Sequence, residues 1–446
     1  MRKNIFWVRR FWLSFLLANA LLIFFFWWQG SSSLLSQGGG SLLLALGRIA
    51  GLLAAYTILL QFLFMGRMPW LESAFGLDKL SRIHSLSGKW SVIFLLLHPI
   101  FMIISYASFS RSSFGAQLLT FLKNFDDLGL AWLGLFLFLV VIASSIYIVR
   151  KKLPYEAWYF VHLLVYLAVF SSFWHQIRLG GDFLASNVFY SYWIGLYVLV
   201  FSSHLFFRFF KPFILFKKHQ FKVEKIFREN HNTVSVYISG RNLENFKIRA
   251  GQFMILRFLD KKNWWQAHPF SLSQLPDGRS LRFTIKKIGD FTSRVDQIDI
   301  GTSIIIEGPY GIFTDLFSDS RSILLIAGGI GITPIRSLME EMLQKGKDVK
   351  LLYANRSSQD IVFKDELEQL AQAKGGQIIH ILSEQEDFVG EKGHVDEEKI
   401  KRLVPDIDRR EVYLCGPPAM IDKVKDLLKA LPNPPAKIHY EKFSLS

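Results

Sequence analysis

Four histidines lie in stretches that are otherwise almost free of charge. His84 and His98 are 14 positions apart in RIHSLSGKWSVIFLLLHPI (82–100), and His162 and His175 are 13 apart in VHLLVYLAVFSSFWHQIR (161–178). An ionisable ring in hydrocarbon is costly without a partner, so such residues are candidates for function. A single one could simply hydrogen-bond a neighbouring helix. Two pairs with nearly equal spacing point instead to metal ligation at two depths. A rise of 1.5 Å per residue separates the members of each pair by roughly 20 Å along a helix. Zinc would need its ligands clustered. Two stacked haems, each gripped by one histidine from either helix, fit the layout: His84 with His162, and His98 with His175. Two axial histidines leave iron no open position, so such a haem passes electrons and binds no substrate on the metal. Fourteen residues nearly complete four turns, so His84 and His98 share a face. Thirteen leave His175 well off the face of His162 on a straight helix, which calls for a kink or a haem approached from another side. Pro99 could itself bend the other segment.

The elements that carry these rings are membrane spans. The 446 residues are 51% hydrophobic, with 42 Phe and 12 Trp, and the apolar residues crowd the first 210 positions. Windows free of Asp, Glu, Lys and Arg occur at 11–29, 49–66, 90–110, 128–149, 157–177 and 183–207. Each is about a membrane thickness long. They predict a transmembrane domain over 1–217, with spans of about 11–29, 41–66, 85–106, 128–149, 156–177 and 185–208. The first is too long and aromatic for a cleaved signal peptide. Basic clusters precede the first span, separate the fourth from the fifth (RKK, 150–152) and follow the sixth. The positive-inside rule then expects both termini, and the soluble half, in the cytoplasm of a cell (plasma or inner) membrane. His84 and His162 come to the inner side, His98 and His175 to the outer. The net charge of +15 is read as anchoring at the membrane edge, with no nucleic acid partner. One cysteine, Cys415, excludes an intrachain disulfide and a cysteine-ligated iron–sulfur cluster within one chain. Arg48, toward the outer side of the second span, could pair with a haem propionate, attract an anionic product or snorkel to the headgroups.

Beyond the spans the pattern changes. Short alternating runs (QFKVEKIF, TVSVYIS, FMILRFL, LRFTIKK, SIIIEG) predict an antiparallel β-barrel over 218–312. Strands alternating with helices predict a parallel α/β nucleotide-binding domain over 313–446. AHPFSLSQ (267–274) is placed to cradle a flavin ring, and Gly289 and Thr292 in IKKIGDFT could donate to a pyrophosphate. AGGIGITP (327–334) closes a strand and opens a helix, where glycines let backbone approach phosphate and the helix terminus adds positive charge. Pro334 suits the first helical turn. Arg356, ending the next strand, leans the choice to NADPH over NADH. YLCGPPAM brings Cys415 and Gly416 to the carboxyl edge of the sheet, though a buried small hydrophobe is the plain alternative for the cysteine.

Four histidines on two spans, then HPFSLS, AGGIGITP and YLCGPP in that order, resemble the ferric reductase/NADPH oxidase family of transmembrane flavocytochromes b. The likeness covers nearly the whole chain. It implies two b haems on the four histidines and FAD on His268, Pro269, Phe270, Ser271 and Ser273, with Ser271 near flavin N5. It further implies a pyrophosphate loop at Gly289 and Thr292, and a dinucleotide loop at Gly328, Gly329, Gly331, Thr333 and Pro334. Cys415 and Gly416 would lie near the nicotinamide, and Phe443 would be the ring over the flavin, although it is not the final residue. Ser271, Cys415 and Phe443 are then the expected catalytic residues. Superoxide-producing members carry one more histidine a turn beyond the outer ligand of the third span, where this chain has Met102.

The expectation is an oxidoreductase moving electrons from cytoplasmic NADPH (NADH possible) through FAD and two haems to an acceptor across the bilayer. Oxygen, giving superoxide, and a ferric chelate, giving ferrous iron, are both open. The alternative is a component reducing a quinone or a partner redox protein. A haem-binding sensor or transporter would leave the second half of the chain without a role. Phe94 and Phe170 are expected between the haem levels.

Overall fold

The computed structural model describes residues 2–442. The chain divides into two compact units, one of Phe6–Leu71 with Leu77–Phe206, the other from Phe207 onward with the short segment Glu72–Gly76.

The first unit is helical because its residues leave no other way to satisfy the backbone in lipid. Six helices are long and apolar enough to cross a membrane: Trp7–Gln37, Gly39–Met65, Leu77–Ser110, Leu128–Ser145, Glu156–Leu179 and Asn187–His219. Large apolar side chains such as Trp7, Phe136, Phe170 and Val198 stand exposed on the outside, as lipid-facing residues do. The interior packs Ile23, Leu59, Ala168, Phe189 and Trp193 with almost no exposed surface. The second and third spans approach closely through Gly47 and Gly51, a small-xxx-small pair. A Cβ on Gly51 would come within 2.7 Å of His98 Nδ1, and one on Gly47 within 2.9 Å of Met102 Sδ.

The third span runs unbroken through Pro99. The fifth does not. It is two helices, Tyr155–His162 and Leu164–Leu179, joined at Leu163. At the joint the Tyr166 amide turns to the Leu163 carbonyl at 3.1 Å, a tightened i→i+3 turn. This interruption falls between His162 and His175, where the 13-residue spacing calls for a departure from a straight helix.

In the second unit, two three-stranded antiparallel sheets make the barrel. One orders β1 (Lys222–Asn230), β2 (Thr233–Ser239) and β5 (Ser280–Lys286); the other orders β4 (His268–Ser271), β3 (Phe253–Phe258) and β6 (Ile304–Tyr310). Bridges Lys222↔Ser303 and Leu272↔Phe283 join the sheets around Phe221, Phe258, Leu272 and Phe283. A parallel six-stranded sheet follows, in the order β10 (Glu391–Lys392), β9 (Gln377–Leu382), β8 (Asp348–Asn355), β7 (Ser322–Gly328), β11 (Glu411–Gly416) and β12 (Lys437–Lys442). The strand order reverses between β7 and β11. Their carboxyl ends therefore flank the crevice in which α/β sheets bind ligands.

Candidate functional site

The two rings of each histidine pair lie opposite one another, their planes inclined at 64° for His84 and His162 and 59° for His98 and His175. The ring centroids of His84 and His162 are 6.2 Å apart, and those of His98 and His175 are 6.3 Å apart. An imidazole's coordinating nitrogen lies about 1.1 Å from its centroid and bonds a metal at about 2 Å, so two rings flanking one metal need centroids roughly 6 Å apart. Among the described residues no three His, Cys, Asp or Glu side chains gather as a metal site. Each pair therefore offers two ligands only, which suits a metal whose other positions are filled by its own macrocycle. Nδ1 of His84 and of His175 is buried with no hydrogen-bond partner among the described residues. These residues fit haem iron.

The surroundings orient the rings. His98 Nδ1 lies 2.8 Å from the Gly47 carbonyl. A carbonyl only accepts, so the proton sits on Nδ1 and Nε2 is left as a ligand. His162 Nδ1 lies 3.4 Å from Ser145 Oγ. His204 is a buried histidine of another kind: Nδ1 lies 2.9 Å from the Phe62 carbonyl and Nε2 lies 2.8 Å from the Tyr166 hydroxyl. Both its nitrogens are occupied, so it braces three spans.

A cavity of about 450 Å³ surrounds the outer pair, reached by Arg48, Met102, Trp132, Gln176 and Asp182. Arg48 does not simply snorkel. Its Nη1 sits 3.5 Å from the Gly30 carbonyl and 3.8 Å from Asp182 Oδ1. Burial pushes the Asp182 carboxyl above the usual carboxylate range, with Arg48 pulling it back. Sequence reasoning missed Asp182, Gly47, Gly51 and Gln176; the one readable signal was G-x-x-x-G at 47–51. Phe170 corrects an expectation. It is 75% exposed and turns outward, since the joint at Leu163 changes which face of the fifth span points inward. Phe94 is half-buried and stacks on Trp90 at 6.3 Å.

In the barrel, β4 carries His268 to Ser271. The His268 ring stacks on Phe291 at 4.3 Å, Pro269 is exposed, Phe270 is half-buried and Ser271 is buried. Ser273 departs from its expected role. It is fully buried, and its hydroxyl bonds the Arg282 carbonyl at 3.0 Å and Thr284 Oγ1 at 2.8 Å, so it faces the barrel interior and not a cofactor. Thr292 Oγ1 accepts from the amides of Ile288 (3.0 Å) and Gly289 (2.9 Å), so this loop is closed upon itself.

At the strand crossover, Gly329 holds φ 51° with open space around it, and the helix Ile332–Gln344 starts immediately beyond. That is the place where a phosphate can approach backbone. Gly331 serves packing: a Cβ there would lie 2.3 Å from the Cys415 carbonyl oxygen. Gly328 and Gly416 likewise meet where β7 and β11 end. Thr333 is buried with its hydroxyl on the Ile330 carbonyl at 3.1 Å, and Pro334 is buried in the same turn. Cys415 is 0% exposed in the hydrophobic core. It sits at the carboxyl end of β11, beside the crevice, with its side chain packed in the core. Arg356 is exposed and paired with Glu384 at 3.5 Å. Phe443 lies outside the described residues.

Arg282 ties the barrel to the α/β sheet. Its guanidinium, 5% exposed, bonds both Glu366 carboxylate oxygens (2.9 and 3.0 Å) and the Ser273 carbonyl (2.7 Å), and lies 4.5 Å from the Phe363 ring. Arg336 also reaches Glu366.

Comparison with known proteins follows the same divisions. The family model for the ferric reductase like transmembrane component matches residues 50–173, that for an FAD-binding domain 216–314, and that for an oxidoreductase NAD-binding domain 325–426. The chain is similar to a flavohemoprotein of Bacillus subtilis (strain 168), 27% identical over 245 residues, which cover 52% of this chain and 59% of that protein. It is also similar to the reductase component of propane 2-monooxygenase from Rhodococcus jostii (strain RHA1), 36% identical over 176 residues, covering 37% of this chain and 47% of that protein. The chain spans about half the length of these curated relatives. The flavohem-like FAD/NAD-binding domain of nitric oxide dioxygenase from Vibrio cholerae O1 biovar El Tor aligns with a TM-score of 0.46 at 22% identity, covering 51% of this chain and 99% of that one. A ferric reductase transmembrane match followed in order by flavin and nicotinamide matches is the domain architecture of the ferric reductase/NADPH oxidase family, and it makes the chain a membrane oxidoreductase with FAD- and NAD-binding domains.

Proposed function

We propose that this chain takes reducing equivalents from NADPH or NADH on the cytoplasmic side and delivers electrons singly to oxygen or ferric iron on the other. The observation that carries this reading is the pair of facing histidine couples, at 6.2 and 6.3 Å, on the third and fifth spans. When bound, FAD supplies the conversion from two electrons to one, and two b haems supply the one-electron relay.

The residues divide the work. His84 and His162 would hold the inner haem and His98 and His175 the outer, each pair supplying two protein ligands to a one-electron carrier. The Gly47 carbonyl keeps His98 in its ligating tautomer. Gly329 and the start of helix Ile332–Gln344 receive the coenzyme pyrophosphate, and Arg356 meets its ribose end. The β4 strand, with His268 against Phe291, seats the flavin, and Ser271 stands nearest its reactive face. Basic clusters beside the spans set the soluble unit in the cytoplasm of a plasma or inner membrane. The largely aliphatic and aromatic lining around the outer couple also suits a quinone, which is the second reading.

The test is acceptor choice by purified protein. NADPH oxidation is followed under air, then without oxygen in the presence of a ferric chelate or a soluble quinone. Signal sensitive to superoxide dismutase, ferrous iron or quinol identifies the acceptor. A folded preparation lacking the spectrum of six-coordinate b-type cytochrome would refute the reading.

A further inference from the structure

Gln176 follows His175 in the fifth span, and its side chain is held by the sixth. Its Oε1 accepts from Trp193 Nε1 at 3.1 Å and from the Tyr197 hydroxyl at 3.0 Å. Both rings are nearly free of exposed surface, at 1% and 7%. An amide's two ends look alike in outline, but an indole N–H can only donate, so the end facing Trp193 must be the oxygen. Two donors then fill the two lone pairs of that oxygen. The NH₂ group is thereby fixed at the other end. Gln176 lines the cavity around His98 and His175, which Arg48 and Asp182 also reach.

We infer that Gln176 is a fixed hydrogen-bond donor of the outer cavity, a positioning residue that with Arg48 recognises a carboxylate oxygen. Arg48 remains able to share this role, because its 3.8 Å approach to Asp182 is longer than a hydrogen bond. Among the described residues, Asp182 is the acidic group that lines the cavity. The carboxylate has two possible sources: the porphyrin itself, or an acceptor such as ferric citrate. The inference rests on the proposed haem site at His98 and His175.

The experiment uses full-length purified protein carrying both haems. Gln176→Glu keeps an oxygen for Trp193 and Tyr197 and replaces only the donor; Gln176→Met removes the donor without adding charge. Haem and flavin content should stay at wild-type levels in both. If the porphyrin supplies the carboxylate, spectroscopic redox titration shows one of the two haem potentials falling. The fall is about 59 mV, tenfold in the one-electron constant, for Gln176→Glu, and smaller but in the same direction for Gln176→Met. If the acceptor supplies it, both potentials hold and the KM for ferric citrate rises about tenfold while that for oxygen does not. Unchanged potentials and KM values in both variants would overturn the inference. So would an effect in Gln176→Glu alone, which would report added charge and not a lost donor. Absence of haem from the wild-type protein would instead refute the proposed function.

Discussion

His98 Nδ1 and the Gly47 carbonyl oxygen are 2.8 Å apart, a bond between the third and second spans that the missing side chain of Gly51, one turn farther along, makes room for. Gly51→Leu is therefore expected to displace the imidazole. Haem per protein should fall from two to one while flavin content is unchanged, as read by pyridine haemochrome and flavin absorbance. Retention of two haems would mean that the spans can part without cost.

His84→Ala with His162→Ala removes the other couple, whose centroids are 6.2 Å apart. The double variant should also hold a single haem. NADPH should still reduce its flavin, but reduction of an acceptor across a sealed vesicle should drop to background. Two haems in the double variant would reject the pairing.

Arg356 and Glu384 form an exposed pair of opposite charges, 3.5 Å apart, at the end of β8. A coenzyme 2′-phosphate has to compete with Glu384 for the guanidinium. Arg356→Ala should raise the KM for NADPH roughly tenfold, about 1.4 kcal/mol, with little change for NADH. Glu384→Gln should lower the KM for NADPH instead. Equal effects on both coenzymes would show that neither residue reads the phosphate.

Burial alone would raise the Glu366 carboxyl, but the hydrogen bonds of Arg282 and the charges of Arg336 and Arg282 outweigh it and hold the group below the usual range. A carboxyl depressed in the folded state adds stability above its unfolded value, about 4.3, and loses it as pH falls through the folded one. Arg282→Met should cost about 3 kcal/mol at neutral pH, the low end for a buried pair because Glu366 is partly exposed. Thermal unfolding followed by flavin fluorescence should show the variant and the parent converging in acid. A constant gap down to acid pH would assign the loss to packing.

The paired histidines were legible because an ionisable ring in an oily segment has few uses, and because helix rise alone separates the two depths. The barrel and sheet were legible from alternating and alternately helical runs, down to the strands β2 and β7. What could not be read was side-chain contact between distant segments. Nothing local says that Trp193 and Tyr197 hold Gln176, or that Asp182 meets Arg48. Ser273 was misassigned for a related reason. Only the assembled sheets bring Thr284 and the Arg282 carbonyl against its hydroxyl. Phe170 went astray because the 13-residue spacing calls for a kink without saying where along the segment the interruption falls.

That interruption has an arithmetic consequence. One extra residue inserted beside Leu163 would bring the fifth span's interval to that of the third, and a continuous rod could then present both imidazoles in phase. The joint absorbs a missing step in the helical screw, so a lengthened span should straighten and keep both metals, whereas a shortened one should slip out of register.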